Sequence, residues 1–483
     1  MRTALITGLI VTASVGGANV FASDYGVSEA NAPYRLAYDY GAFLRQLVED
    51  EEPAPAPPPR DEDEAQPLRS APVSIEAPEA PIPSYIAPPT TSYQPRPSYD
   101  CATSVAGCGD ACGCGAGCGC GSACNSGGLL SGMPGTSALE SLSLAKLAGL
   151  ECSCLEFGGW TQMGYHSNNT PLSQAYGDGL AFNDVPDNLN LHQQWFYMGK
   201  TADGSRGLDW GFRTDFIYGT DAQKTQAFGN PAGSFDEGWD HGVYGWAIPQ
   251  LYGELAYGDL SVKMGHFFTL VGYEVITAPD NFFYSHAYTM FNSEPFTHTG
   301  VLATYSGFEN MTLYGGWTLG WDTGFDNLNQ GNSWLGGFSM NLSDNVTMTY
   351  INTYGNFGAI DSAPGFSADD SYSHSLVFDV ALTDKLNYVF QTDNVRIKNP
   401  GANVLRDDIG INQYLLYRYN DVVSLGQRIE WWKQDGTSYY EATSGVNVKL
   451  LDNLVWRPEY RVDWSPGANV DERTFGMDMI LTY

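Results

Sequence analysis

After its first two dozen residues the chain has no apolar run long enough for a transmembrane helix, which excludes a helical membrane protein. It is also short of charge. Asp, Glu, Lys and Arg make up only 16 % of 483 residues, less than a soluble protein of this size usually carries. Basic residues are the scarcest: 23 Lys and Arg stand against 55 Asp and Glu, a formal net charge of -32, and so nucleic acid is excluded as a partner. The 7 His all lie after residue 160, none at a metal-binding spacing such as His-x-x-x-His. No catalytic residue, metal site or cofactor is therefore expected. No lipobox follows the N-terminal leader, and so no lipid anchor is indicated.

What the chain does have is aromatic residues, 13 % of the total, and 55 Gly. The stretch Thr474–Tyr483 shows how they are used. Phe475, Met477, Met479, Leu481 and Tyr483 alternate with Thr474, Gly476, Asp478, Ile480 and Thr482. A period of two is a β-strand with one apolar face, and about ten residues suffice to cross a bilayer at a tilt. In lipid an open strand edge leaves N–H and C=O groups unsatisfied, so this strand must close onto the first one. The expectation is an all-β fold: a transmembrane antiparallel up-and-down β-barrel. Phe475, Met477, Met479, Leu481 and Tyr483 are the expected signal to the outer-membrane assembly machinery.

The same period recurs from Leu155 onward. Strands are predicted at 155–165, 189–200 and 208–218, then near 247–257, 260–267, 298–305, 311–321, 334–342, 346–354, 372–382, 386–394, 409–419, 423–432, 440–450, 454–464 and 474–483, about sixteen in all. In the second, Leu189, Leu191, Trp195 and Tyr197 are read as the apolar face. In the third, Leu208, Trp210, Phe212, Phe216 and Tyr218 point one way and Asp209, Arg213 and Asp215 the other. Tight Asn-, Asp- and Gly-containing turns alternate with mostly longer loops, near 166–188, 219–246, 268–297, 322–333, 355–371 and 395–408. Short turns on one rim and long loops on the other are the pattern of outer-membrane barrels, the short turns being periplasmic.

Ahead of the barrel the composition changes four times. Residues 1–22 read as a secretory leader cut after Ala22. Residues 23–48 hold one candidate helix, with Leu36, Tyr40, Phe43, Leu44 and Leu47 on one face. Residues 49–100 are Pro-rich and acidic, a disordered linker whose reach in polyproline II is on the order of 150 Å. Residues 101–154 carry nine cysteines among glycines, from Cys101 to Cys124 and then Cys152 and Cys154. Disulfides are favoured over a thiolate metal site in an oxidising compartment, with no connectivity readable. The disordered N-terminal arm is expected in the periplasm, where a partner would meet it.

The loop 268–297 is long and aromatic, and Phe282, Phe283, Tyr284, Tyr288, Phe291 and Phe296 need a surface to pack on. It is predicted to fold into the lumen. Its acids Glu274, Asp280 and Glu294 would form the constriction. Arg213, Arg418, Arg428, Lys449, Arg457 and Arg461 are predicted to line the pore wall, with an aqueous slot between an acidic loop and a basic wall. Inward acids outnumber inward bases, which predicts a weak cation preference. The loop 321–330 is acidic but departs from the EF-hand pattern and reads as a solvated loop rather than a Ca²⁺ site.

Three short segments carry a resemblance: Gly265-His-Phe-Phe-Thr-Leu-Val-Gly-Tyr-Glu274, Asn281-Phe-Phe-Tyr-Ser285, and Glu294-Pro-Phe-Thr-His-Thr-Gly-Val301, with the opening Phe157-Gly-Gly-Trp-Thr-Gln162. Together they resemble the OmpL-like β-barrel outer-membrane porin family over roughly residues 150–483. The resemblance implies an outer-membrane pore for small hydrophilic solutes and brings no catalytic residue. Expected partners are outer-membrane lipid, the assembly machinery, small solutes and other copies in a homo-oligomer. The alternative is a structural protein tethering the outer membrane through its Pro- and Cys-rich arm.

Overall fold

The computed structural model describes residues 128–133, 136–150, 153–168, 182–230, 233–326, 330–358, 371–398 and 404–483. The expected leader, the helix within 32–48, the linker and the cysteines from Cys101 to Cys124 lie outside the described residues.

Sixteen long strands run antiparallel in chain order: β1 Glu156–His166, β2 Asn190–Lys200, β3 Asp209–Gly219, β4 Tyr244–Tyr257, β5 Leu260–Phe268, β6 Thr297–Phe308, β7 Met311–Thr318, β8 Asn332–Ser343, β9 Val346–Asn356, β10 Ser371–Thr383, β11 Leu386–Lys398, β12 Val404–Arg418, β13 Val423–Gln434, β14 Thr437–Leu451, β15 Leu454–Ser465 and β16 Val470–Thr482. A two-residue pairing, Asp240–His241, sits in the loop before β4. The sheet closes because β1 pairs with both neighbours. Trp160 stands opposite Thr482 of β16 and Trp195 of β2. Among the described residues no barrel strand edge is left open, as a lipid-facing sheet requires.

The period of two sorts side chains as expected along β16. Thr474, Gly476, Asp478 and Ile480 are buried inside, whereas Phe475 and Met479 are exposed outside. The outer surface is apolar and aromatic along the strands, with Trp210, Phe216, Leu255, Met264, Trp317 and Leu415 all exposed. Tyr483 joins an outward cluster at the short-turn rim. Gln194 donates to its hydroxyl, and Thr161 Oγ1 lies 3.2 Å from that hydroxyl.

The second strand corrects the reading of its sequence. Trp195 and Tyr197 face inward, with Trp195 fully buried and stacked 4.6 Å from Trp160, and it is Phe196 and Met198 that face outward. The cause is a β-bulge: Gln162 pairs with Gln193 but Met163 with Leu191, so His192 and Gln193 both turn inward and the alternation changes phase.

The lead-in to β1 runs along the short-turn rim. Leu129 and Leu130 donate their backbone N–H groups to Lys449 and Leu450 carbonyls at 2.9 and 2.8 Å. Two one-turn helices, Ser137–Glu140 and Leu144–Leu147, then lead to the first strand.

Candidate functional site: the loop 268–297 and the wall it meets

The connection from β5 to β6 has no strand partner for its own backbone, so its N–H and C=O groups need other partners where they are buried. Five charged side chains of the inner wall provide many of them. On β15, Glu459 accepts from the N–H groups of Tyr284 and Ser285 at 2.9 and 3.1 Å. On β13, Glu430 accepts from Tyr288 and Thr289 N–H at 2.6 and 2.7 Å. Three arginines serve the carbonyls. Arg428 donates to Ser285 O at 2.7 Å, Arg457 to Ala278 O and Asn281 O at 3.0 and 2.6 Å, and Arg461 to His286 O at 2.5 Å. All five are buried. The short helix Tyr288–Asn292 is thus fixed at its start by Glu430.

Each arginine is also neutralised. Arg428 pairs with Glu441 and with Glu274 of the loop, both at 2.6 Å. Arg457 forks onto Asp478 and Arg461 onto Asp463. A guanidinium fork matches a carboxylate in two parallel bonds, and this bidentate geometry is what makes burial of the charges tolerable.

Side chains of the loop, three of them aromatic, fill hollows left by inward-facing glycines. A Cβ on Gly410 would lie 2.2 Å from Thr289 Oγ1, one on Gly426 2.2 Å from Phe282, one on Gly445 3.0 Å from Phe283, and one on Gly476 2.8 Å from Tyr284. On the other side, Gln193 of the bulge donates to Ile276 O at 2.8 Å and accepts from Ala278 N–H at 3.1 Å, and His192 Nε2 lies 2.7 Å from the Tyr284 hydroxyl. Ile276, Ala278, Ala287, Met290 and Phe296 join Trp160, Trp195, Ile217 and Ile480 in one apolar cluster. Burying the larger of these, such as Ile276, Met290 and Phe296, contributes roughly 1.5–3 kcal/mol each.

The loop acids have three different environments. Burial opposes ionisation of Glu274, but Arg428, then His286 and the Ala287 N–H, outweigh it and hold its carboxyl at about 2. Glu294 lies under Gly272, where φ is +88° and a Cβ would sit 1.9 Å from the carboxylate, so that position admits only glycine. It shares the side-chain NH₂ of Gln391 with Asp393, at 2.5 and 2.6 Å. Burial, then the Asp393 charge, pushes Glu294 well above the usual carboxylate range. Asp280 is exposed and accepts from Thr277 Oγ1 at 2.7 Å within its own turn. At the loop's end Asp322, from the next long loop, accepts from Phe296 and Thr297 N–H at 2.7 and 3.0 Å. Burial raises it to about 7 against those two bonds.

Two of the residues expected on the pore wall, Arg418 and Lys449, lie at the rim rather than between the rims. Arg418 ends β12 at the short-turn rim, where it is exposed and donates to Asp384 O at 2.9 Å. Lys449 sits at the same rim, paired with Asp452 at 2.7 Å. Where a slot between acidic loop and basic wall was expected, Glu274 and Arg428 touch at 2.6 Å. Arg213 stands apart from the other arginines on β3, stacked 3.9 Å over Tyr197 and paired with Asp215. The inward glycines were missed, although their signal was present: Gly410, Gly426, Gly445 and Gly476 all fall on the inward phase of their strands.

Among curated proteins none matches the chain. Among solved structures, an anion-selective porin from Comamonas acidovorans is 10% identical, covers 68% of this chain and 99% of its own, and superposes with a TM-score of 0.48. The outer membrane channel DcaP of Acinetobacter baumannii is 10% identical over 68% of this chain and 97% of its own, with a TM-score of 0.46. OmpT of Vibrio cholerae in its trimer form is 10% identical over 68% and 99%, with a TM-score of 0.43. The profile of the beta-barrel porin-2, OmpL-like family matches residues 154–482, the whole barrel, and the chain is a member of that family of outer-membrane porins.

Proposed function

We propose that the protein is a passive porin, carrying small hydrophilic solutes through a water-filled barrel narrowed by the loop 268–297 folded into the lumen, and that it is not an enzyme. The observation that carries this reading is the grip of Arg428, Glu430, Arg457, Glu459 and Arg461 on the loop backbone. A segment held by charged hydrogen bonds to the inner wall is a fixed obstruction rather than a mobile lid. Glu274 and Glu294 then act as anchors of the constriction, and the path for solute runs beside the loop, along the wall it leaves uncovered. The excess of acids gives a weak cation preference, decreasing as salt screens it.

The N-terminal arm belongs on the periplasmic side in this reading. That placement is supported by the lead-in running along the short-turn rim, where a periplasmic partner would meet the arm. Phe475, Met477, Met479, Leu481 and Tyr483 serve the assembly machinery, and a homo-oligomer in the outer membrane is the expected form. The test is a planar-bilayer recording of the purified full chain with graded neutral sugars. Discrete steps, blocked by small sugars and insensitive to large ones, support the reading; no conductance from folded protein contradicts it.

A further inference from the structure

The arginines of β13 and β15 are each matched by a carboxylate, and their free donors go to loop carbonyls. They therefore present little unmatched charge to a passing solute. The inner wall of β4 and β5 differs. Lys263 faces inward, half-buried, with its Nζ 4.9 Å from the centre of the Tyr252 ring. Among the described residues it is the lumen-facing base between the two rims that has no Asp or Glu oxygen within 4.0 Å. Glu254 stands directly across from it in the β4–β5 register, yet the two do not close on each other. Arg213 lies one strand further on, in register with Tyr252.

A lysine ammonium over a tyrosine face, with no carboxylate oxygen in reach, leaves hydrogens that water must satisfy. A carboxylate can replace that water with a charge-assisted bond. The neighbouring Glu254 limits how much negative charge the place accepts, which favours a singly charged anion. We infer that Lys263, backed by Tyr252 and flanked by Glu254, is a contact point for small monocarboxylate anions in transit through the lumen. This inference rests on the porin reading.

The test is the reversal potential of the full chain in a potassium acetate gradient, with folding checked by heat-modifiable mobility. Lys263→Glu should lower the acetate-to-potassium permeability ratio roughly threefold, the size of one partly screened charge contact. Lys263→Arg should keep the ratio, and Glu254→Gln should raise it. An unchanged ratio in folded Lys263→Glu and in Glu254→Gln overturns the inference while leaving the porin reading in place. A wild-type chain that inserts and does not conduct overturns the porin reading, and the inference with it.

Discussion

Two stretches of the inner wall carry charge of both signs and put it to different use. On β13–β16, Arg428, Glu430, Glu441, Arg457, Glu459, Arg461, Asp463 and Asp478 are all buried, bonded to one another or to the loop. On β4 and β5, Glu254 and Lys263 stay half-exposed and apart. The difference is made by the loop. Where irregular backbone lies against a wall, charged side chains supply the hydrogen bonds that a strand partner would otherwise give; where none lies, they remain available to solvent. The charge of an inward residue therefore says little about the pore until its partner is known.

The comparison breaks most visibly at Arg428. Arg428→Ala takes their nearest cation from buried Glu274 and Glu441, and removing one partner of a buried pair costs about 3–5 kcal/mol. The loop should loosen while the barrel still forms, read as a new protease-sensitive site near 274–289 in folded protein. Lys263→Ala should produce no such site.

A smaller effect comes from pH. Glu274 is depressed, so its contribution is fully present above its ordinary value and is lost only as pH falls toward about 2. Glu294 and Asp322 are raised, so their contribution is present at low pH and is lost as pH rises, through about 7 for Asp322. Moving from about pH 5 to about pH 8 should loosen the far end of the loop and leave the Glu274 anchor in place. Protease cleavage near 292–297 should rise over that interval, and Glu294→Gln should blunt the rise.

The smallest effect concerns the outer face. Tyr483→Phe removes a hydroxyl bonded to Gln194 and beside Thr161 at the rim, costing on the order of 1 kcal/mol. Folded yield should fall slightly, and protease sensitivity of the loop should not change.

The barrel was legible because lipid forces alternation and closure on every strand. The strands of the sequence reading match those of the structure to within a few residues at most ends. Packing of the aromatic loop residues followed from their need for a surface. Three things were not legible. The bulge at His192 and Gln193 reversed the faces of β2, because one extra residue changes phase without changing composition. Ion pairs between loop and wall depend on contacts across more than 140 positions, such as Glu274 to Arg428, which periodicity does not encode. Nor does position alone tell which of Glu430, Glu459 and Asp463 pairs with the arginines beside it. Asp463 does pair with Arg461, whereas Glu430 and Glu459 bind loop N–H groups instead.

The central claim is that the loop gripped by the arginine wall is the constriction. Single-channel conductance of the full chain lacking Asn281–Tyr288, compared with wild type under the same salt, tests it most directly. That deletion removes Ser285 and the Tyr284 and Tyr288 N–H groups through which the wall holds the loop. The account predicts a clearly larger conductance step from a barrel that still folds; an unchanged step from folded protein would contradict it.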